Sequence, residues 1–297
     1  MPPEADAALA RLLESERLPD GYLDRVRRLH APLAARIAGM AHPVRVGLAG
    51  PQGSGKSTDA RVLELLLRER GLTAVTLSLD DLYLPRAARA QLARDIHPLL
   101  ATRGAPGTHD VDLGVDVLGR LARPGETRLP RFDKATDDPV PRRDWPRVQG
   151  PVDVILFEGW CVGAVPQTTA ALRRPVNDLE RERDPAGVWR TYVNDQLAGA
   201  YRTLFAGLAP FVFLRAPGFE VVLRWRTEQE HKLRARLGAL AGMSDAELAV
   251  FIQHYERLTR WMLREAPRRA DVVASLGEGR EISRVTGLRR LSPSASR

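Results

Sequence analysis

VRVGLAGPQGSGKST, residues 44–58, passes from an apolar run into a stretch of glycines, hydroxyl side chains and one lysine. The segment GPQGSGKS (50–57) satisfies G-x-x-x-x-G-K-[ST], with a strand expected before it and a helix after it. Backbone N–H groups of such a loop converge on phosphate oxygens, and the helix N-terminus adds its partial positive charge. Gly50, Pro51, Gln52, Gly53, Ser54, Gly55, Lys56, Ser57 and Thr58 are therefore expected to cradle a nucleoside triphosphate. In this motif Lys56 reaches the β- and γ-phosphates and the Ser57 hydroxyl ligates Mg²⁺, so ATP and Mg²⁺ are the expected cofactors.

Working outward, DARVLELLLRERG (59–71) predicts an apolar helix closed by Gly71. TAVTLSLD (73–80), VDVILFEG (152–159), PFVFLRA (210–216) and the weaker ADVVASLG (270–277) predict strands separated by helices. That alternation argues for an α/β fold of the P-loop NTPase type, a parallel sheet with helices on both faces. Upstream, Leu9, Leu12 and Leu13 mark one helix. Leu23, Val26, Leu29, Leu33 and Ile37 mark a second, which Pro32 is expected to kink or split. Ser244 and Glu247 form a capping box for a helix whose apolar face runs Leu248, Phe251, Ile252, Tyr255, Leu258 and Met262. The expected organisation is an N-terminal helical extension (1–43), a kinase-sized unit (44–288) and a disordered tail (289–297). Within the unit, residues 80–150 are the expected acceptor segment, of which 101–150 is too rich in Pro, Gly, Asp and Arg to be regular throughout, and residues 219–240 the expected charged helical lid.

The chain has 297 residues, 44% of them hydrophobic, enough for a substantial core. No apolar stretch reaches eighteen residues and no basic leader precedes an apolar run, so neither a membrane partner nor a signal peptide is expected. The lone Cys161 fits a reducing compartment, and the expected location is cytoplasmic. The 45 basic and 37 acidic residues leave a net charge of +8, which raises the question of nucleic acid. Arginines are scattered without basic blocks, and only 6% of residues are aromatic, so a nucleic-acid partner is not expected. Against 42 arginines (45 less 3) there are three lysines, Lys56, Lys134 and Lys232. A composition this partial to arginine has kept a compact ammonium inside two motifs.

A GTPase would carry Asn-Lys-x-Asp and a transporter ATPase Leu-Ser-Gly-Gly-Gln; neither occurs. That leaves a small-molecule kinase or an unassigned ATPase. A kinase needs a carboxylate near the phosphate loop to take the acceptor proton. LSLDDLYL (77–84) offers Asp80 and Asp81 at a strand end, where ligands of open α/β sheets bind.

GPQGSGKST, SLDDLY, RGAPGTHD (103–110), LPRFDK (129–134), VILFEGW (154–160) and WRTEQE (225–230) occur in this order. Together they resemble the phosphoribulokinase/uridine kinase group, and within it D-glycerate 3-kinases of the plant and fungal type and their bacterial relatives, over residues 40–280. The resemblance implies that Asp80 is the general base, that Tyr83 lies near the acceptor and that Glu158 stands near Mg²⁺. It places Arg103, His109 and Asp110 in the acceptor-recognition region. Arg131 and Lys134 supply cations for an anionic acceptor such as glycerate, with Asp133 orienting the lysine or a substrate hydroxyl. Arg224 and Arg226 fall on the lid, where positive charge, Arg226 above all, meets the transferring phosphoryl. Three readings follow: a kinase for D-glycerate; a kinase of the same group for a nucleoside, pantothenate or a sugar; and a nucleic-acid-associated regulatory ATPase.

Overall fold

The computed structural model describes residues 3–16, 18, 19, 21–237 and 242–291. The last three residues of the expected lid and residues 292–297 of the expected tail lie outside the described residues.

The apolar runs become strands β1 (Val44–Ala49) and β2 (Ala74–Ser78). The proline- and glycine-rich stretch that follows contributes two small hairpins, β3 (Gly125–Arg128) with β6 (Arg147–Gly150) and β4 (Phe132–Asp133) with β5 (Asp138–Pro139). The main sheet resumes with β7 (Val154–Gly159), β8 (Phe211–Arg215), β9 (Val272–Leu276) and β10 (Ile282–Thr286). Its order is β10-β9-β8-β1-β7-β2; all neighbours are parallel except β10, which runs antiparallel along the edge. Every residue of β7 is buried, as a strand covered on both faces requires.

The chain leaves β1 for β2, two places away, and returns to insert β7 between them, while β8 adds on the other side of β1. A crevice opens at such a switch point, beyond the carboxyl ends of the strands. The phosphate loop follows β1 there, Ser78 ends β2 with Asp80 just beyond it, and Glu158 lies near the end of β7. The helix Lys56–Arg68 buries Ala60, Val62, Leu63, Leu66 and Leu67 against the sheet.

Pro32 does not split the N-terminal helix. Tyr22–Arg25 runs through a π-helical turn, Val26–His30, into Ala31–Ala38. The Ala31 N–H donates to Val26 O, so a widened turn just before the proline absorbs the donor that its ring lacks. Val26, Leu29, Leu33 and Ile37 are buried in the same core cluster as β1 and β7. The capping box at Ser244 is present and opens a 25-residue helix, Asp245–Arg269. Helix was expected between the strands here without bounds, and four helices fill residues 169–204; Thr169–Leu172, Asp178–Arg183 and Ala200–Leu204 are too short for a periodic pattern to show.

Candidate active site

The phosphate loop turns on Gly53 (φ 77°) and Gly55 (φ 92°), left-handed conformations that favour glycine. A Cβ at Gly53 would lie 2.6 Å from Trp225 Cβ and 3.2 Å from its main-chain carbonyl carbon, so the helix that carries Trp225 lies directly on the loop. The buried Ser54 Oγ and both amide atoms of Gln52 have no protein partner, consistent with a loop shaped for a polar ligand. Lys56 Nζ donates to Pro51 O at 3.1 Å, folded back over its own loop. Burial lowers the Lys56 pKa, although Glu158 and Asp80 oppose the shift.

Three strand ends converge on this loop. Glu158 Oε1 accepts from Ser57 Oγ (3.0 Å) and from Ser78 Oγ (2.8 Å). Burial pushes its pKa up, with Lys56 opposing. Asp80 Oδ1 accepts from the Tyr83 hydroxyl (2.9 Å) and Oδ2 from Lys134 Nζ (2.6 Å). Burial would raise the Asp80 carboxyl, but the Lys134 ammonium and its hydrogen bond, with Lys56 and Tyr83, hold it well below the usual range. Repulsion from its neighbour is not what tunes Asp80. Asp81, pushed up by burial, turns away to accept from Phe132 N–H and Arg131 Nη1, both at 3.1 Å. It thereby anchors the segment that delivers Lys134.

The loop 103–110 is tied to the strand end through Leu84 N–H to Thr108 O (2.9 Å) and Asp110 N–H to Leu82 O (2.7 Å). Tyr83 is held between the His109 ring, stacked with centroids 4.6 Å apart, and the edge of Phe132 at 5.3 Å. Gly107 N–H donates to the Tyr201 oxygen (2.9 Å), and Tyr201 O–H to His109 Nδ1 (2.5 Å). With Nδ1 accepting, the ring proton sits on Nε2, a buried atom without a partner. Burial lowers the His109 pKa to about 3, so the ring is a neutral donor at physiological pH.

Not every expected residue faces this space. Asp110 Oδ1 caps the helix Val111–Leu121 through Leu113 N–H (2.9 Å). Asp133 accepts from Ala135 N–H (2.9 Å) and Thr136 Oγ1 (3.0 Å), closing its own hairpin turn. Arg103 is paired with Asp137 and lies over the Phe132 ring. On the helix Glu220–Leu237, Arg224 pairs outward with Glu278 at 3.0 Å. Arg226 is held by Glu230 and by Gln229 Oε1 at 2.8 Å. Burial and Asp80 raise the Tyr255 hydroxyl pKa while Arg103 and Arg226 oppose, which puts both arginines within electrostatic reach of the acceptor side. Sequence reasoning missed Arg89, fully buried and donating to Leu84 O, Ala101 O and Asp137 O. It also missed Tyr201, which fixes the His109 tautomer.

A phosphate loop at a parallel-sheet switch point, with a carboxylate and a lysine across the crevice, defines a P-loop kinase. The chain is 34% identical over 222 residues to an uncharacterized kinase, mug58, of Schizosaccharomyces pombe, spanning 72% of this chain and 78% of that protein. It is 31% identical over 223 residues to the chloroplastic D-glycerate 3-kinase of Arabidopsis thaliana, spanning 72% of this chain and 46% of the plant protein's length. The solved D-glycerate 3-kinase of Cryptococcus neoformans superposes with a TM-score of 0.72 at 26% identity, covering 88% of this chain and 98% of that one. No family model matches the chain. The chain belongs to the family of P-loop kinases that includes D-glycerate 3-kinase, and it is an ATP-dependent phosphotransferase acting on a small molecule. Among the described residues no helix is long and apolar enough to cross a membrane.

Proposed function

We propose that the chain transfers the γ-phosphoryl group of ATP to a hydroxyl of D-glycerate. The observation that carries this reading is the Lys134–Asp80–Tyr83 contact at the end of β2, on the same crevice as Lys56. It joins a proton acceptor to a cation suited to a carboxylate, in a chain whose relatives include D-glycerate 3-kinases.

Asp80 receives the proton of the attacking hydroxyl as its oxygen bonds to the γ-phosphorus; the bond to the β,γ-bridging oxygen breaks and ADP departs. Tyr83 and Lys134 hold the carboxylate ionised and oriented until the acceptor arrives. A substrate carboxylate competes with Asp80 for Lys134, and partial withdrawal of that ammonium makes Asp80 a better base at the moment it is needed. Arg131 adds charge nearby, and the neutral His109 donates from Nε2. Lys56 and the main-chain amides of residues 50–58 bind the triphosphate, and Arg226 closes over it from the helix above. Ser57 and Glu158 present two hard oxygens, and the raised pKa of Glu158 marks a buried carboxylate short of positive charge. These two residues fit Mg²⁺, which is usually held by one or two protein oxygens together with substrate phosphates, and which would neutralise charge on the phosphoryl oxygens. The buried, unpaired Cys161 supports a cytoplasmic location.

The test is acceptor-dependent ADP release across D-glycerate, other hydroxy acids, nucleosides, pantothenate and sugars, with and without RNA or DNA. The expected outcome is a strong signal with D-glycerate that is indifferent to nucleic acid. A larger signal with a nucleoside or pantothenate, or hydrolysis that needs nucleic acid, would overturn the reading.

A further inference from the structure

The far side of the phosphate loop is held by two arginines from outside its motif. Arg280, in the turn between β9 and β10, donates from Nε to Gly53 O at 2.7 Å, with its guanidinium over the Trp225 ring. Arg25, on the N-terminal helix, donates from Nη2 to Ser54 O at 3.2 Å and from Nη1 to Arg280 O at 3.2 Å. Only 4% of Arg25 is exposed. Its charge is met by the fully buried Asp59, in the first turn of the helix Lys56–Arg68. Asp59 also accepts from the Tyr22 hydroxyl at 2.7 Å, and His30 Nε2 lies 3.0 Å from its Oδ1.

A trans peptide is planar, and its carbonyl and N–H point in opposite directions. The Ser54 carbonyl shares its peptide plane with the Gly55 N–H. A guanidinium holding Ser54 O from behind therefore directs the Gly55 N–H to the other face of the loop, where the phosphate chain lies. Gly55 has φ 92° and no side chain to restrict it, so this plane is free to rotate unless something outside the loop fixes it. Because Asp59 neutralises Arg25, the arginine acts by geometry rather than by adding net charge.

We infer that Arg25 is a positioning residue for ATP, and that the N-terminal helix, outside the phosphate-loop motif, completes the nucleotide site by setting the Gly55 peptide plane. The inference needs only that residues 50–58 hold a phosphate chain; it does not depend on the identity of the acceptor.

Arg25→Lys keeps a cation beside Asp59 but, shorter and with a single nitrogen, cannot hold the Ser54 and Arg280 carbonyls together as the planar guanidinium does. Calorimetric titration of the full chain with ATP, ADP and adenosine separates the phosphate contribution from the rest. The Kd for ATP and for ADP is expected to rise about tenfold in the variant, the worth of one hydrogen bond to a charged group. Adenosine binding and, where turnover is measured, the KM for the acceptor should stay unchanged. A merely structural role would lower Tm and leave the ratio of ATP to adenosine affinity untouched. If Arg25→Lys does not fold, Arg25→Met combined with Asp59→Asn removes the buried charges, keeps an amide for Tyr22 and is expected to show the same selective loss. A folded variant that binds ATP as the wild type does, or that loses adenosine in equal measure, overturns the inference.

Discussion

The donor half of the crevice is made of main chain and the acceptor half of side chains. Residues 50–58 are contiguous, and most of their binding groups are peptide N–H groups that cannot titrate, in a loop that turns on two positive-φ glycines. The acceptor half draws Asp80, Tyr83, His109 and Lys134 from three segments, and each nearby cation arrives already paired: Lys134 with Asp80, Arg131 with Asp81, Arg103 with Asp137. The contrast teaches how one kinase can bind a constant donor and a particular acceptor. Phosphate meets a preformed surface, whereas the acceptor must displace partners, and only a ligand of matching charge can do that.

The sharpest way to break the contrast is to remove Lys56, the side chain that the loop itself extends to the phosphates. Lys56→Ala is expected to lower kcat by about a thousandfold or more, measured as ADP release. Asp80→Asn is expected to cost on the order of 10²–10⁴ in kcat while calorimetry shows ATP bound normally. Near-normal turnover would remove Asp80 from the role of base.

Lys134→Met sharpens the comparison by pH. In the wild type the depressed pKa of Asp80 keeps it ionised down to the acid range, so it sets no acid limb near neutrality. Without the ammonium, burial acts unopposed by its strongest counterweight, and the limb in kcat/KM moves upward toward neutral pH; an unmoved limb would refute the pairing. The KM for the acceptor is expected to rise about tenfold to a hundredfold from the lost charge-assisted contact. The smallest effect separates the two lid arginines. Arg226→Ala should lower kcat about tenfold, and Arg224→Ala, which loses an exposed pair with Glu278, less than about twofold.

The same division decided what could be read in advance. Five strands and the phosphate loop were legible because each is a short, mainly apolar run or a fixed spacing. Strand β10 was missed because only Ile282 of its five residues is buried, so no alternating face shows. His109 and Lys134 were named through motifs, but their geometry depends on Tyr201, 92 residues from His109, and on Asp81, which holds the lysine's segment from 51 residues away. Arg25 carried no signal at all. Its partner on the loop is a main-chain carbonyl, which any residue type supplies, and it was one arginine among many. Asp110 and Asp133 show the reverse side of a motif: within it, their carboxylates accept hydrogen bonds from a helix start and a turn, contacts that the motif does not announce.

The general phosphate-loop pattern leaves the position of Gly53 open to any residue. Here it is closed, because φ is 77° and the Cβ and main-chain carbonyl of Trp225 occupy the volume into which a first carbon would project. The freedom of a motif slot is thus set by a residue 172 places further along the chain (225 less 53). Relatives that carry a larger residue at this slot are expected to hold the upper helix further from the loop, a difference that would sort these kinases into two lineages by how that helix rests on the nucleotide.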